Sequence, residues 1–182
     1  PNLLRARSLA RQHGWWNRVI SAMQGLRKLY NHTGRRAEWK RLVEEIVPDF
    51  VGADDLPLSG REWQWDVITQ YRMQLAIESR NMVEAERLQR VQVDEQRRRA
   101  KSLLARPVDS LNTVEKNTIR SLAASSGYLG RIFLEQGKPE CVESRTEQYE
   151  LNLHINDVAG AAIAATMRGS ALRPAWRRGT RS

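Results

Sequence analysis

Residues 129–140 read LGRIFLEQGKPE, and this stretch decides the predicted fold. Apolar residues such as Leu129 and Phe133 recur three and four positions apart, which is the spacing of one helix face. Gly137 favours a helix end, because glycine readily adopts the left-handed backbone that closes helices. Pro139 suits the first turn of a following helix, where its missing N–H costs nothing. The stretch therefore predicts a helix, a tight turn and a second helix.

The same helical spacing runs through most of the chain, and no stretch alternates apolar and polar residues as a strand does. Ser59 with Glu62, and Asn112 with Glu115, have the spacing of capping boxes, while Asp157 can cap a last, alanine-rich helix. The sequence predicts an all-α fold of about seven to eight helices, built from antiparallel helix hairpins. The hairpins are expected at residues 15–47, 59–104 and 112–154, with a partial one at 157–172.

Three windows of the chain share this pattern of helix, turn and helix. The first begins at Leu26, the second at Tyr71 and the third at Leu129. They resemble the tetratricopeptide repeat family, in which a leucine–glycine pair, an aromatic residue and a turn glycine allow two helices to pack closely. Gly130 stands where that family requires a small residue, since a larger side chain would push the partner helix away.

The resemblance is closest in the third window. Arg27 replaces the small residue in the first window, and Ala76 replaces the aromatic residue in the second. The spacing departs from the 34-residue period of the family, since Tyr30 lies 46 residues before Ala76. The resemblance implies an α-solenoid, wound as a right-handed superhelix, over residues 1–172, followed by a basic tail at 173–182. A non-repetitive helical bundle is the alternative architecture.

The resemblance also implies that a peptide or protein segment binds along a concave groove lined by the first helix of each pair. Polar residues stand at the positions that would face this predicted groove. They are Gln24, Lys28, Asn31 and His32 in the first repeat, Gln70, Gln74 and Glu78 in the second, and Arg131 and Glu135 in the third. Lys28 and Arg131 would pair with ligand carboxylates, while Gln70 and Gln74 would hydrogen-bond the ligand backbone. Plain solvent exposure is the alternative interpretation of each residue.

The net charge of +9 favours an anionic partner, but charge alternates along the chain. Residues 1–47 hold ten basic and three acidic groups, whereas residues 48–94 hold five basic and nine acidic groups. Twenty-five of the thirty basic residues are arginine. Nucleic-acid binders often mix lysine and arginine, and genome composition also produces an arginine bias. Nucleic-acid binding through the basic patches is the alternative function, and solvated helix faces are the simpler interpretation of the charge.

Few residues indicate catalysis. His13, His32 and His154 have no second ligand three or four residues away, so no helical metal site is predicted. Cys141 is expected to be a small buried residue. The sequence contains no phosphate-binding glycine loop and no nucleophile motif. We therefore predict no enzyme activity, no cofactor and no metal.

Five of the six tryptophans lie between residues 15 and 65. Trp39 shares an apolar helix face with Val43, and Trp63 shares one with Tyr71, which predicts that both tryptophans pack in the core. Trp16 or Trp65 is the candidate for an exposed anchor, because tryptophan is frequent at interface hot spots.

No apolar run approaches the ~18 residues that a membrane span needs, so we expect no membrane association. The single cysteine and the lack of a secretory signal favour a cytoplasmic protein. The resemblance implies a scaffold or sensor segment of a larger bacterial protein, similar to the arrays that accompany signalling NTPases and caspase-like proteases. The ends of such a segment would expose apolar surface, so self-association is also expected.

Overall fold

The described part of the chain is all-α, as the sequence predicts. The computed structural model describes the backbone of residues 2–178 and the side chains of residues 2–169. Within these residues there are eight α-helices and no β-strand. The helices are α1 Asn2–Gln12, α2 Trp16–Thr33, α3 Arg36–Ile46, α4 Glu62–Glu78, α5 Met82–Leu104, α6 Thr113–Glu135, α7 Cys141–His154 and α8 Val158–Arg178.

Local signals set several helix ends. Gly34 follows α2 with a φ of 69°, and its N–H donates to the Tyr30 carbonyl. Asn112 and Glu115 form the predicted capping box at the start of α6, where each side chain accepts a hydrogen bond from the backbone N–H of the other residue. Such caps contribute about 1 kcal/mol to helix stability, so these ends are fixed by nearby sequence.

Two further cap predictions have opposite outcomes. At α8, the Asp157 carboxylate accepts from the Gly160 N–H at 2.9 Å, as expected. At α4, the capping box of Ser59 with Glu62 is wrong, because the helix begins at Glu62 itself and the Glu62 carboxylate accepts from the Gly60 N–H at 3.0 Å. Gly60 has a φ of 74°, a left-handed conformation that turns the chain into the helix.

The chain divides into two compact units, residues 1–78 and residues 79–182. Unit 1 contains α1 to α4, and unit 2 contains α5 to α8. The boundary falls inside the predicted hairpin 59–104, so the pairing of α4 with α5 stays a prediction. α8 continues to Arg178, beyond its predicted end, and the remainder of the predicted basic tail, 179–182, lies outside the described residues.

Unit 1 places α2 and α4 side by side in the same direction. Near the start of both helices the Gln64 side chain donates to Asn17 at 2.8 Å, and farther along Arg27 donates to Gln74. α3 packs on both helices, and α1 packs on α2. The parallel arrangement arises because α3 returns the chain to the end from which α2 began.

The core of unit 1 is rich in large side chains. Trp39 of α3 meets Tyr71 of α4 edge to face, with ring centroids 5.0 Å apart. Trp65 is fully buried, and its Nε1 donates to the Asp55 carbonyl at 2.9 Å. The prediction that Trp63 packs in the core is therefore wrong, since Trp63 is 52% exposed. Of the two candidates for an exposed anchor, Trp65 is excluded and Trp16 is half-buried. α4 has apolar residues on all of its sides, so the spacing of these residues alone does not decide which face is buried.

Unit 2 packs its helices in sequence order, α5 on α6, α6 on α7, and α7 on α8. Gly130 of α6 approaches α7 so closely that a Cβ at this position would lie 3.2 Å from the Ser144 Cβ. This agrees with the predicted need for a small residue there. Cys141 is buried, as expected. The buried cluster of this unit comprises Val93, Ala100, Leu111, Ile119, Leu122, Ala123, Leu129, Phe133, Cys141, Leu151 and Ile155.

Candidate functional site

A cleft opens between α2 and α4 of unit 1, and we call it the unit 1 cleft. Its volume is about 630 Å³, and its lining consists of Ser21, Gln24, Gly25, Arg27, Lys28, Asn31 and Tyr71. Gln24, Lys28 and Asn31 are three of the predicted groove residues. Ligand clefts usually have volumes of ~300 to 1,000 Å³, so this one has room for part of a peptide segment.

The α2 wall of the unit 1 cleft follows from helix geometry. Gln24, Lys28 and Asn31 are four and three residues apart, so they share one face of the helix. All three are exposed, whereas Leu26 is buried and anchors α2 in the core. His32, the fourth predicted residue of this helix, is exposed in the last turn and is not in the cleft lining.

The predicted residues of α4 form a second polar stripe beside α2. Gln74 accepts from Arg27 and donates to Glu78 Oε1 at 2.9 Å, so a chain of hydrogen bonds joins the two helices. Gln70 and Glu78 are exposed, four residues to either side of Gln74. Because residues four apart share a helix face, the three side chains follow one line along α4. The fold thus brings two predicted polar stripes together on adjacent parallel helices.

Arg27 is a cleft residue that the sequence analysis does not select. It stands where the family resemblance requires a small residue, and its guanidinium carbon lies 5.2 Å from the centroid of the Tyr71 ring. Burial raises the pKa of the Tyr71 hydroxyl, while the charge of Arg27 and its hydrogen bond oppose that rise. The departure of Arg27 from the repeat pattern is the sequence signal that identifies it.

The lining of the unit 1 cleft is positively charged. It includes Arg27 and Lys28 and no carboxylate. Within the part of the chain that the structure describes, no carboxylate oxygen lies within 4.0 Å of the Lys28 ammonium group. The cleft therefore offers cationic donors next to the Gln24 and Asn31 amides, which both donate and accept hydrogen bonds.

The third pair of predicted groove residues belongs to unit 2. Arg131 and Glu135 are exposed on α6, and the Arg131 Nε donates to Glu135 Oε1 at 2.9 Å. They are four residues apart on one helix, so the pair forms locally. Their participation in one groove with the residues of unit 1 stays a prediction.

The residues that the structure describes hold no group of three or more His, Cys, Asp or Glu side chains placed to bind a metal ion. None of their helices combines the length and the apolar character that crossing a bilayer demands.

Comparison of the chain with protein families, with curated proteins and with solved structures finds no match. The resemblance to tetratricopeptide repeats therefore depends on the three sequence windows. The structure adds an all-α architecture in which consecutive helices pack on one another within each unit, and this is consistent with a helical repeat. The candidate site depends on the geometry and charge of the unit 1 cleft.

Proposed function

We propose that this chain is a protein-interaction module that binds an acidic peptide or protein segment in the unit 1 cleft. The main supporting observation is that Gln24, Lys28 and Asn31 open into one cleft together with Arg27. The two cations suit ligand carboxylates, because charge-assisted hydrogen bonds are stronger than neutral ones. The two amides suit the backbone of an extended peptide, which offers both N–H donors and carbonyl acceptors.

The wider role that we propose follows from the family resemblance. Tetratricopeptide-like arrays serve as scaffolds or sensors within larger proteins. We propose such a segment of a bacterial cytoplasmic protein, tetratricopeptide-like in fold, which binds its partner without a catalytic site or cofactor of its own.

The test uses the purified chain as bait in a lysate of the source cell, with and without nuclease, at low and moderate salt. A discrete protein partner that survives both treatments supports the proposal if Lys28→Glu weakens its binding about tenfold or more, since a charge reversal replaces attraction by repulsion. Recovery of nucleic acid alone, released by modest salt, would contradict it.

Lys40→Glu is the matched control for this experiment. Lys40 is an exposed lysine of α3 in the same unit, 3.7 Å from Glu44 and outside the cleft lining. The Lys40→Glu variant is expected to bind the partner as well as the unchanged protein does. Equal losses of binding in Lys40→Glu and Lys28→Glu would mean that binding depends only on net charge. Arg131→Glu, measured separately, tests whether the predicted groove includes α6.

Nucleic-acid binding is the alternative function. The ion pairs of unit 1 argue against it, because they reduce the positive charge available to phosphates. Arg7 and Arg11 contact Glu45 at 2.8 and 3.1 Å, and Arg35 contacts Glu38 at 2.9 Å. These pairs neutralise part of the positive charge that the sequence concentrates in the first three helices. A steep loss of binding with salt would favour this alternative, because phosphate contacts release counterions.

We also propose self-association through the first and last helices. Leu3 and Leu9 of α1 are 42% and 48% exposed, and Ile163 and Met167 of α8 are 57% and 46% exposed. Exposed apolar side chains on an outer helix favour burial against another surface. Sedimentation at increasing protein concentration is expected to show association, and a monomer throughout would contradict it.

A further inference from the structure

A second cleft lies in unit 2 and has the opposite charge; we call it the unit 2 cleft. It has a volume of about 370 Å³ and is formed by α5, α6 and α7. Leu129 and Phe133 of α6, both buried, form its floor. Its walls carry four carboxylates and two arginine side chains, which leaves two excess negative charges in a chain whose net charge is +9.

The two arginines show which chemistry these walls accept. Arg97 joins the walls, since its guanidinium lies 2.9 Å from Asp94 on α5 and 2.9 Å from Glu147 on α7. Arg90 lies over the Phe133 ring, with its guanidinium carbon 4.8 Å from the ring centroid. Carboxylates and an aromatic floor thus already hold guanidinium groups that belong to the chain itself.

The wall at the start of α7 differs, because its carboxylates have no cation beside them. Glu140 and Glu143 are exposed and three residues apart, so they share one side of the helix. No Lys, Arg or His nitrogen of the described residues lies within 4.0 Å of either carboxylate.

Ser144, next to these carboxylates, provides an independent indication of a ligand. Its side chain lines the unit 2 cleft and is only 8% exposed. Among the described residues its hydroxyl has no hydrogen-bond partner. The hydroxyl oxygen opens to the cleft and is not sealed in the core, so a donor group of a ligand in the cleft can reach it.

We infer that the unit 2 cleft binds a lysine or arginine side chain presented by a basic segment of a partner protein. Glu140 and Glu143 pair with the cationic head, and the Ser144 hydroxyl accepts a hydrogen bond from one of its N–H groups. Leu129, the part of the floor that Arg90 does not cover, contacts the aliphatic stem of the bound side chain, as apolar surfaces do for the stems of lysine and arginine.

This site is separate from the predicted groove. Arg131 and Glu135 stand two positions after Leu129 and Phe133, and two residues turn an α-helix by about 200°. The groove residues of α6 and the floor of the unit 2 cleft are therefore on opposite sides of that helix. The inference does not depend on peptide binding in the unit 1 cleft.

The first experiment titrates the capped tripeptide acetyl-Gly-Arg-Gly-amide into the purified chain and follows amide chemical shifts. The expected shifts concentrate on residues 90–97 and 140–147, and added salt weakens them. The neutral peptide acetyl-Gly-Gln-Gly-amide is expected to leave these resonances in place. Equal responses to the two peptides, or shifts spread over all acidic residues, would overturn the inference.

The second experiment repeats the titration with Glu140→Gln combined with Glu143→Gln, which is expected to weaken binding about fivefold. The Glu140 side chain makes no capping hydrogen bond, so this change leaves the start of α7 intact, and the variant's own spectrum verifies its fold. Glu150→Gln is the matched control, because Glu150 is exposed on the same helix outside the cleft lining. Equal weakening by the control would overturn the inference.

Lys28→Glu is expected to leave binding of the arginine peptide unchanged, which separates this site from the unit 1 cleft.

Discussion

Residues 27 and 130 hold the same place in two similar sequence windows, and the two units use them in opposite ways. In unit 2, Gly130 allows α7 to come within 3.2 Å of the position a Cβ would take. In unit 1, Arg27 places a guanidinium over Tyr71 and bonds to Gln74, and a cleft opens beside it. The departure from the packing pattern therefore marks a place where the fold has a polar cleft instead of a close helix contact.

The cores of the two units also differ in the size of the side chains that fill them. Unit 1 fills its interior with large rings, among them Trp65, which is fully buried. Along α6 of unit 2 the buried residues include Ser126, Gly127 and Gly130, which let neighbouring helices approach. Unit 1 should therefore be most sensitive to the loss of a large side chain, and unit 2 to the addition of one.

The largest expected effect comes from Trp65→Ala in unit 1. Removal of the buried ring leaves a cavity and an Asp55 carbonyl without its donor, so the free energy of unfolding should fall by about 3–5 kcal/mol. Urea unfolding measures the loss, and hydrogen exchange should place it in α3 and α4. Trp63→Ala, at a side chain that is 52% exposed, is the matched control and should lower the free energy of unfolding by only about 1 to 2 kcal/mol, because only part of its ring is buried. Equal effects of the two variants would contradict the assigned burial.

A smaller loss in the free energy of unfolding is expected from Gly130→Leu in unit 2. The new side chain would meet Ser144 and Arg145, whose atoms lie 3.2 and 3.3 Å from a Cβ at residue 130, so α6 and α7 must separate. Overpacking of this kind costs about 1–3 kcal/mol, measurable by urea unfolding with exchange losses in α6 and α7. Ala124→Leu, at an exposed position on the same helix, should be nearly neutral. If the Gly130→Leu protein were as stable as the Ala124→Leu protein, the prediction would be wrong. α7 would then move away from α6 without loss of stability.

The sequence predicts the all-α class and several of the helix ends correctly. α5 is predicted and observed at Met82–Leu104, and the Asn112–Glu115 capping box forms as expected. These features depend on side chains within a few residues of the backbone they bond. The buried face of α4 is predicted wrongly, because Trp63 and Trp65 are both apolar and only the neighbouring helices decide which of them is covered.

In the candidate site, too, local features can be predicted from the sequence and contacts between distant residues cannot. That Gln24, Lys28 and Asn31 share an exposed face of α2 can be predicted from their spacing, since it is a local property of a helix. That α4 lies parallel to α2 and completes a cleft there depends on contacts between residues 47 apart, such as Arg27 with Gln74. Periodicity within one helix contains no information on such contacts.

The smallest expected effect concerns pH and the ion pairs that join α1 to α3 in unit 1. The hydrogen bond from Arg7, above all, holds the pKa of Glu45 below its usual range, even though burial opposes this shift. A carboxylate whose pKa is lowered in the folded state contributes stability above its unfolded pKa, which is about 4.3, and that contribution disappears as the pH falls through the folded pKa. The Glu45 side chain is 44% exposed, so solvent limits the contribution to about 1 kcal/mol.

Glu45→Gln should therefore lower the free energy of unfolding by that amount at pH 7 and by almost nothing at pH 3. Urea unfolding at a series of pH values should show the two proteins converging as the pH falls below about 4.3. A difference that stays constant across this range would assign the loss to packing or amide geometry instead of the charge of Glu45. Convergence would show that unit 1, besides its large aromatic side chains, uses a titrating contact to hold α1 against α3, because Arg7 is buried and reaches Glu45 at 2.8 Å.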